Sequence, residues 1–397
     1  MGERIKKLVI FFLQLLPLGN AFILESHPDF SDNTWAFYQY MLREGVNRRH
    51  KIYWALHNHV SGSMEKLPEN VDFFYLEAKG FGQKWKRFLA LYFSRYIVDC
   101  NAYIHKRRKG QYRLHLGHGM PIKLTPDYNL PEKVGVCDGY LVTGTFWIPV
   151  YAEQLSVPES CLLPLGYPRN DVLAARTEEG AEGESPAGNY LMWLPTYRQH
   201  KRYPGQMERD MSAGARGTLE VFPYGMPEVQ TKEQLQTLNR LLKEQNMMLY
   251  FRPHPVQDLS HFRQERLSNI ILTDDGFLER NHFSLYGMLA HADGLITDYS
   301  SVYYDFLLTE RPIGLTIGDR VSFFEHYGCP FDKLEENIKG YDIASFEDLL
   351  DFVRAVSGGH VPGMDQLLEM KSRYHSYPEG GASARIYRYM KDNWLDL

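Results

Sequence analysis

The sequence is poor in cysteine and lacks the short motifs of several common enzyme classes. Its 397 residues include four cysteines, no two of which form a C-x-x-C pair. Neither a zinc knuckle nor a disulfide framework is therefore predicted, and a reducing cytoplasm is expected. The sequence also has no P-loop, G-x-G-x-x-G, H-E-x-x-H or Asp-x-Asp pattern. We therefore predict no metal site and no bound cofactor.

An excess of positive charge is missing too. Lys and Arg number 44 against 49 Asp and Glu, which gives a net charge of −5. This balance argues against nucleic acid as a partner.

A long apolar run is likewise absent, because the N-terminal run Leu8 to Leu18 is shorter than the roughly 20 residues of a membrane span. Three alternatives remain for it. A packed first helix is favoured over a helix lying on a membrane surface, and a cleaved signal peptide is the least favoured because no small-x-small site follows.

The composition is that of a folded protein large enough for two domains. Hydrophobic residues make up 44% of the chain, with 27 Tyr and 22 Phe. Short apolar runs alternate with amphipathic stretches in both halves, as in βαβ units. We predict strands at Phe22–Leu24, Lys51–Leu56, Val71–Leu76, Tyr112–Leu116, Tyr140–Val142, Cys161–Leu165, Tyr190–Leu194, Met247–Phe251, Ile270–Leu272, Gly294–Thr297 and Pro312–Thr316. We predict helices at Trp35–Leu42, Thr145–Leu155, Lys232–Glu244, Phe283–His291, Tyr299–Leu308 and Phe346–Val356, with a partly helical tail from Gln366 to Trp394.

The Glu-, Gly- and Ala-rich segment 177–188 is typical of a linker. It separates a predicted domain at 1–176 from one at 189–397. Two doubly wound, Rossmann-like α/β domains facing a cleft make the GT-B architecture. Periplasmic binding proteins share this coarse pattern, so the fold alone does not decide function.

Polar segments follow four of the predicted strands, at the ends where parallel sheets bind ligands. They are Gly117 to Lys123, Pro195 to Arg198, Arg252 to Pro255, and Thr297 to Ser301. His118 lies between two glycines, which favours an exposed imidazole that could act as a general base; the alternative is a histidine that merely caps a turn.

Arg252 and His254 suit a phosphate or pyrophosphate, unless they belong to an ordinary surface turn. Thr297, Ser300 and Ser301 precede a helix, where anions are favoured. Asp298, Ser300 and Ser301 could equally serve only as helix caps.

Two further segments keep two interpretations each. The stretch Lys84 to Tyr96 mixes basic and aromatic residues and is followed by the basic run His105 to Lys109. Together they could bind an anionic membrane, although a helix packed in the first domain is the favoured alternative. Arg169 either contacts a substrate or stabilises the hinge.

The ordered motifs resemble those of a known family. They are Phe22-Ile-Leu-Glu-Ser26 with Ser31-Asp32-Asn33, His118-Gly-Met-Pro-Ile-Lys123, Gly166-Tyr-Pro-Arg-Asn-Asp171, Pro195-Thr-Tyr-Arg198, Arg252-Pro-His-Pro255 and Ile296-Thr-Asp-Tyr-Ser-Ser301. From about residue 20 to residue 390 the chain resembles the CDP-glycerol glycerophosphotransferases of teichoic acid synthesis.

The resemblance implies a GT-B enzyme on the inner face of the cytoplasmic membrane. It implies transfer of glycerol phosphate from CDP-glycerol to a hydroxyl of a lipid-linked glycan or polyol-phosphate polymer, teichoic acid or capsule-like, with release of CMP. CDP-ribitol or a nucleotide sugar is the alternative donor.

The resemblance also implies roles for single residues. His118 is the implied base, and His254 lies near the donor diphosphate. The donor group also includes Arg252, Thr297, Ser300, Ser301, Thr196, Arg198 and Asp305. On the acceptor side we expect Gly119, Lys123 and Arg169.

Two departures from the family pattern stand out. Met120 replaces the threonine of the usual His-Gly-Thr-Pro, and the segment from Arg202 to Glu228 is longer than usual. The short chain is more similar to single-addition priming members than to long polymerases.

Overall fold

A computed structural model of the chain describes residues 16–59, 67–123, 137–174, 185–196, 222–254 and 259–395, together with Leu13 and Gln257. The chain divides into two compact units. The first comprises Met1–His118, Asp127–Asp171 and Gly381–Leu397, and the second comprises Gly119–Pro126 and Val172–Gly380. The expected linker at 177–188 and the N-terminal run Leu8 to Leu18 lie largely outside the described residues.

The C-terminal segment departs from the expected division at 189–397, because it belongs to the first unit. The Asp171 carboxylate accepts hydrogen bonds from the amides of Ala382 and Ser383, at 2.7 and 3.1 Å. The Trp394 ring stacks on Tyr112 with centroids 5.4 Å apart. Apolar packing and helix capping thus hold the segment to the first sheet.

The first unit is built on a parallel sheet. Its strands are β1 (Gly19–Glu25), β2 (Lys51–Leu56), β3 (Val71–Tyr75), β4 (Ser94–Asp99), β5 (Tyr112–His115), β6 (Gly139–Leu141) and β7 (Leu162–Leu163). They lie in the order β3-β2-β1-β4-β5-β6-β7. The helices are α1 (Asp32–Arg43), α2 (Gly80–Phe93), α3 (Trp147–Leu155), α4 (Asp171–Ala174) and, from the C-terminal segment, α12 (Ala382–Asn393).

The second unit repeats this plan. Its strands are β8 (Tyr190–Leu194), β9 (Met248–Phe251), β10 (Ile270–Leu272), β11 (Gly294–Thr297), β12 (Ile313–Leu315) and β13 (Tyr341–Asp342), in the order β10-β9-β8-β11-β12-β13. Its helices are α5 (Lys232–Glu244), α6 (Asp275–Asn281), α7 (Leu285–His291), α8 (Val302–Phe306), α9 (Arg320–Tyr327), α10 (Phe346–Ser357) and α11 (Met364–Tyr374).

Local sequence explains the regular elements. All five residues of β8 are buried, as expected of a central parallel strand covered on both faces. Helix α5 begins at a capping box in which the Thr231 hydroxyl accepts from the Gln234 amide and the Gln234 side chain accepts from the Thr231 amide. Its buried leucines, among them Leu235, Leu238 and Leu242, join the core around β8 and β9.

Most predicted elements are confirmed, with β2, β8, β10, β11 and α5 at the predicted bounds. The main omission is β4, which pairs with β1 and β5 in the centre of the first sheet. The sequence interpretation treated Lys84 to Tyr96 as one stretch, whereas α2 ends at Phe93 and β4 begins at the next residue. In the described part of the chain, no helix is both long and apolar enough to span a bilayer.

Candidate active site

Each sheet has the strand order in which ligands bind at a topological switch point. In the first unit this point lies at the carboxyl ends of β1 and β4, and in the second at those of β8 and β11. Most of the predicted site residues follow these strands or their immediate neighbours. The two units therefore each present a polar strand-end site.

In the first unit, His118 lies on a turn after β5 between two glycines. Gly117 has a φ of +64°, and a Cβ there would lie 3.1 Å from the Tyr167 hydroxyl, so the turn favours glycine for two reasons. The His118 Nδ1 donates a hydrogen bond to the Cys100 carbonyl at 3.2 Å. In a neutral ring Nε2 is then the nitrogen that accepts a proton, as a general base requires.

The electrostatic environment of His118 favours the neutral ring. Although the ring reaches solvent, desolvation by the surrounding protein lowers the pKa of His118 from its usual value. The Asp32 carboxylate and the Cys100 carbonyl oppose this effect without cancelling it. His118 is therefore predominantly neutral at pH 7 and able to take up a proton.

The turn that carries His118 is anchored by Asn33, whose side chain is fully buried at the start of α1. Asn33 Nδ2 donates to the Gly117 carbonyl at 2.9 Å, and its Oδ1 accepts from the Arg169 amide at 3.1 Å. The Arg169 guanidinium in turn bonds the Asp32 carboxylate at 2.5 Å. The structure thus brings His118 and Arg169 together, and Asn33 supports both, a role that the sequence pattern did not predict.

A buried charge cluster lies beside this turn and escaped the sequence interpretation. Asp99, at the end of β4, accepts from Arg113 at 2.8 Å and from His115. Burial alone would raise the pKa of Asp99, but the Arg113 charge and His115 outweigh it and lower the pKa. The three residues are almost fully buried and stiffen the strand ends that present His118.

In the second unit, Asp298 holds the two central strand ends together. Its fully buried carboxylate accepts from the Thr196 amide through both oxygens, at 2.9 and 3.0 Å. The alternative that Asp298 caps the following helix is therefore wrong, because the residue before α8 is Ser301.

Two predicted donor residues point away from solvent. The Thr297 hydroxyl is fully buried and donates to the Leu194 carbonyl at 2.8 Å. The Asp305 carboxylate is also fully buried and accepts from the Tyr286 hydroxyl at 2.6 Å. Both side chains therefore form hydrogen bonds within the second unit, and their place in the donor site stays a prediction.

Ser300 and Ser301 remain candidate phosphate contacts. Both are half-buried, and the Ser301 hydroxyl makes no capping bond to α8. The Ser300 hydroxyl accepts from the Val302 amide at 3.5 Å, at the long limit of a hydrogen bond. Neither serine is thus committed to capping the helix.

Arg252 and His254 follow β9 and line a pocket of about 470 Å³. Its other lining residues include Gln257, Arg263 and Asp275. The Arg252 guanidinium donates to the Thr273 carbonyl at 3.2 Å and to Asp275 at 2.6 Å, which fixes its position. Desolvation first, and the Lys123 charge second, lower the pKa of the exposed His254.

The segment after His118 leaves the first unit. Gly119 and Lys123, which we expect on the acceptor side, lie in the stretch Gly119–Pro126 of the second unit, and their acceptor role stays a prediction. The Lys123 ammonium lies 5.1 Å from the centre of the Tyr327 ring, close enough to His254 to lower its pKa. Met120 is fully buried, so its thioether fills the core of its unit. Arg198 and most of the segment from Arg202 to Glu228 lie outside the described residues.

Two doubly wound α/β units with polar strand-end sites define a GT-B fold, and the comparisons agree. A solved structure of the wall teichoic acid polymerase TagF, in its H444N variant, superposes with a TM-score of 0.70 over 98% of this chain and 95% of that one, at 18% identity. The profile of the family described as CDP-glycerol:poly(glycerophosphate) glycerophosphotransferase matches residues 12–392. The chain belongs to this family.

Curated relatives of the chain act in teichoic acid synthesis. The teichoic acid ribitol-phosphate polymerase TarL of Staphylococcus aureus is 22% identical over 94% of this chain and 62% of its own length. The teichoic acid poly(glycerol phosphate) polymerase of Bacillus spizizenii is also 22% identical, over 95% of this chain and 89% of its own length. The chain spans 62% or less of the first three curated relatives that it matches.

Proposed function

We propose that this protein transfers glycerol phosphate from CDP-glycerol to a hydroxyl of a lipid-linked glycan or polyol-phosphate polymer, releasing CMP. The proposal rests on one observation, the hydrogen bond that orients the His118 ring, in a chain that belongs to this family. Its Nδ1 is tied to the Cys100 carbonyl, so Nε2 accepts the proton of an acceptor hydroxyl.

The proposed reaction assigns a task to each unit. The acceptor oxygen forms a bond to the β-phosphorus of CDP-glycerol while the bond from that phosphorus to the bridging oxygen breaks. His118 takes the hydroxyl proton, and CMP leaves with the bridging oxygen and its electron pair. Arg252 and Lys123 supply positive charge for the diphosphate, while Ser300, Ser301 and His254 supply hydrogen bonds.

CDP-ribitol is the second candidate donor. Two of the relatives are a ribitol-phosphate polymerase and a ribitol-phosphate primase. Glycerol and ribitol differ in the number of hydroxyl-bearing carbons, so the polyol end of the donor site decides between them.

A donor panel tests the proposal. The purified chain is mixed with an acceptor oligomer and with CDP-glycerol, CDP-ribitol or UDP-sugars, and the released nucleotide is measured. We expect acceptor-dependent CMP from one CDP-polyol and its near-complete loss in His118→Asn. His360→Asn, at an exposed histidine of the second unit, is the matched control and should retain activity.

Two results would overturn the assignment. Release of UDP would make the chain an ordinary nucleotide-sugar enzyme. Full CMP release by a folded His118→Asn variant would remove His118 from the role of base.

A membrane surface is the proposed location of the reaction. Helix α2 exposes Phe81, Trp85 and Leu89, which are spaced four residues apart and so share one face, with exposures of 84%, 52% and 39%. Exposed Lys84 lies next to this stripe, as expected for a helix that binds an anionic bilayer through one face.

Co-sedimentation with vesicles of phosphatidylglycerol and phosphatidylethanolamine tests the location. We expect the wild-type chain to bind and Trp85→Glu to lose most of its binding. Val321→Glu, at a residue of α9 that is 69% exposed, is the control and should bind normally. Equal binding by wild type and Trp85→Glu would contradict the proposal.

A further inference from the structure

The proposed reaction leaves one group of titratable side chains in the first unit without a task. Glu25 ends β1 with a fully buried carboxylate, and its Oε1 accepts a hydrogen bond from His57 Nε2 at 2.8 Å. Its Oε2 accepts from the Asn101 amide at 3.2 Å. The carboxylate thus fixes the orientation of the His57 ring, with Nδ1 turned away from Glu25.

Three rings meet at this place and form what we call the ring cluster, made of His27, His57 and Tyr103. Their centroids lie 4.7 Å apart for His27 and His57, 4.5 Å for His57 and Tyr103, and 6.3 Å for His27 and Tyr103. Tyr103 is 57% exposed, and His27 is exposed as well. The His27 amide donates to the Asn101 side chain at 2.8 Å, so the backbone beneath the cluster is fixed.

A contribution to the stability of the fold does not explain why Glu25 and His57 are paired. Burial raises the pKa of Glu25, because a desolvated carboxylate is disfavoured even with a hydrogen bond from His57. A buried carboxylate paired with another polar group contributes little net stability compared with apolar residues of the same size. An oriented imidazole backed by a carboxylate, placed at a sheet's ligand-binding edge, instead indicates a role in recognition or chemistry.

The cluster lies next to the proposed base. The Cys100 carbonyl accepts from His118, and the amide of the next residue, Asn101, donates to Glu25. Consecutive residues of the loop after β4 therefore support both features. The ring cluster and His118 are thus held by the same loop at the carboxyl edge of the first sheet.

The charges around the cluster select the kind of ligand. Glu25 lies directly behind His57, and Asp29 accepts from the amides of His57 and Asn58 at 2.8 and 3.0 Å. Two carboxylates this close oppose the binding of a phosphate. An exposed tyrosine beside two imidazoles suits a neutral polyhydroxyl group, whose C–H groups pack on a ring while its hydroxyls form hydrogen bonds.

We propose that the ring cluster of His27, His57 and Tyr103, held by Glu25 and Asn101, is the subsite for the terminal polyol of the acceptor. This inference rests on the proposed function, since it names the part of the acceptor that is bound beside His118. His57 hydrogen-bonds the polyol hydroxyls, and Tyr103 packs against the carbon chain. The cluster thereby selects an acceptor that ends in a polyol over one that ends in phosphate.

Steady-state kinetics with CDP-glycerol or CDP-ribitol and a short oligo(glycerol phosphate) acceptor test the subsite. We expect Tyr103→Ala and His27→Ala to raise the acceptor KM about tenfold or more, the loss of roughly one good contact, with little change in donor KM. His57→Gln keeps a nitrogen donor toward Glu25 and should raise the acceptor KM by a smaller factor. An unchanged acceptor KM in Tyr103→Ala, or an equal rise in donor KM, would overturn the inference.

Binding of the oligomer without any donor separates this inference from the donor assignment. In calorimetry the wild-type chain should bind a glycerol-ended oligomer more tightly than a phosphate-ended one, and Tyr103→Ala should lose that difference. Tyr377→Ala, at a 40% exposed tyrosine of the second unit, is the matched control. If wild type shows the preference but releases no CMP, the donor proposal fails and the subsite stands; if wild type shows no preference, the subsite fails.

Discussion

Replacing Asn33 with alanine is the most informative perturbation of the first unit. The substitution removes a donor to the Gly117 carbonyl and an acceptor for the Arg169 amide, both at a fully buried position. The two lost hydrogen bonds leave the buried Gly117 carbonyl and the partly buried Arg169 amide unsatisfied, which costs about 2–4 kcal/mol of unfolding free energy. For a unit of this size such a loss lowers Tm by about 4–16 °C.

The same substitution should impair catalysis even where the protein is fully folded. Because Asn33 fixes the turn before His118, its loss lets the base move, and a displacement of about 1 Å costs on the order of 100-fold in rate. We therefore expect kcat to fall about 100-fold at a temperature well below Tm, with little change in donor KM. Acceptor-dependent CMP release and thermal melting are measured on the same samples.

Asn239 provides a matched control for this experiment. It is a nearly buried asparagine of α5, and its Oδ1 accepts from the amides of Ser268 and Asn269 at 3.0 and 2.9 Å. Asn239→Ala should lower Tm by a similar amount and leave kcat unchanged. If Asn33→Ala lowers Tm but retains wild-type kcat, Asn33 does not position His118 and the reasoning fails.

Three further predictions concern single groups. Desolvation lowers the pKa of His118, and a base works in its neutral form, so the acidic limb of kcat/KM should lie below pH 6.5. A pH–rate profile measures this limb, and a limb above pH 6.5 would contradict the prediction. Arg252→Lys loses the forked guanidinium that bonds two partners and should raise donor KM about tenfold in kinetic assays, whereas Arg354→Lys on the exposed face of α10 should not. Asp305→Ala removes the acceptor of the Tyr286 hydroxyl, so urea unfolding should show a loss of about 1–3 kcal/mol. A rise in donor KM without that loss of stability would instead support a direct role for Asp305 in the donor site.

The sequence predicted the parts of the fold that local patterns encode. The strand Lys51–Leu56 is an apolar run bounded by polar residues, and α5 carries a capping box. The strand β4 was missed because it follows α2 without an intervening turn. Its polar Ser94 and Arg95 also continue the basic and aromatic pattern of the helix. A change from helix to strand without a break leaves no local signal.

The site was predicted in outline and missed in its supports. His118, Arg252 and His254 stand out because glycine or proline flanks them after an apolar run. The partners of Asn33 lie 84 and 136 residues away along the chain, so only the folded sheet brings them together. The direction of the Thr297 hydroxyl likewise depends on which face of β11 the residue occupies. All four residues of β11 are buried, so the sequence shows no alternation that would assign each side chain to a face.

The position of α12 has a consequence for synthesis. The strands of the first sheet leave the ribosome before the second unit does, yet Trp394 stacks on Tyr112 of β5 and its carbonyl accepts from the Tyr96 hydroxyl of β4. Those apolar surfaces stay uncovered until residues 382–394 have been translated. The first unit is therefore the first to be synthesised and the last to be completed, and in that interval β4 and β5 lack the contacts that Trp394 supplies.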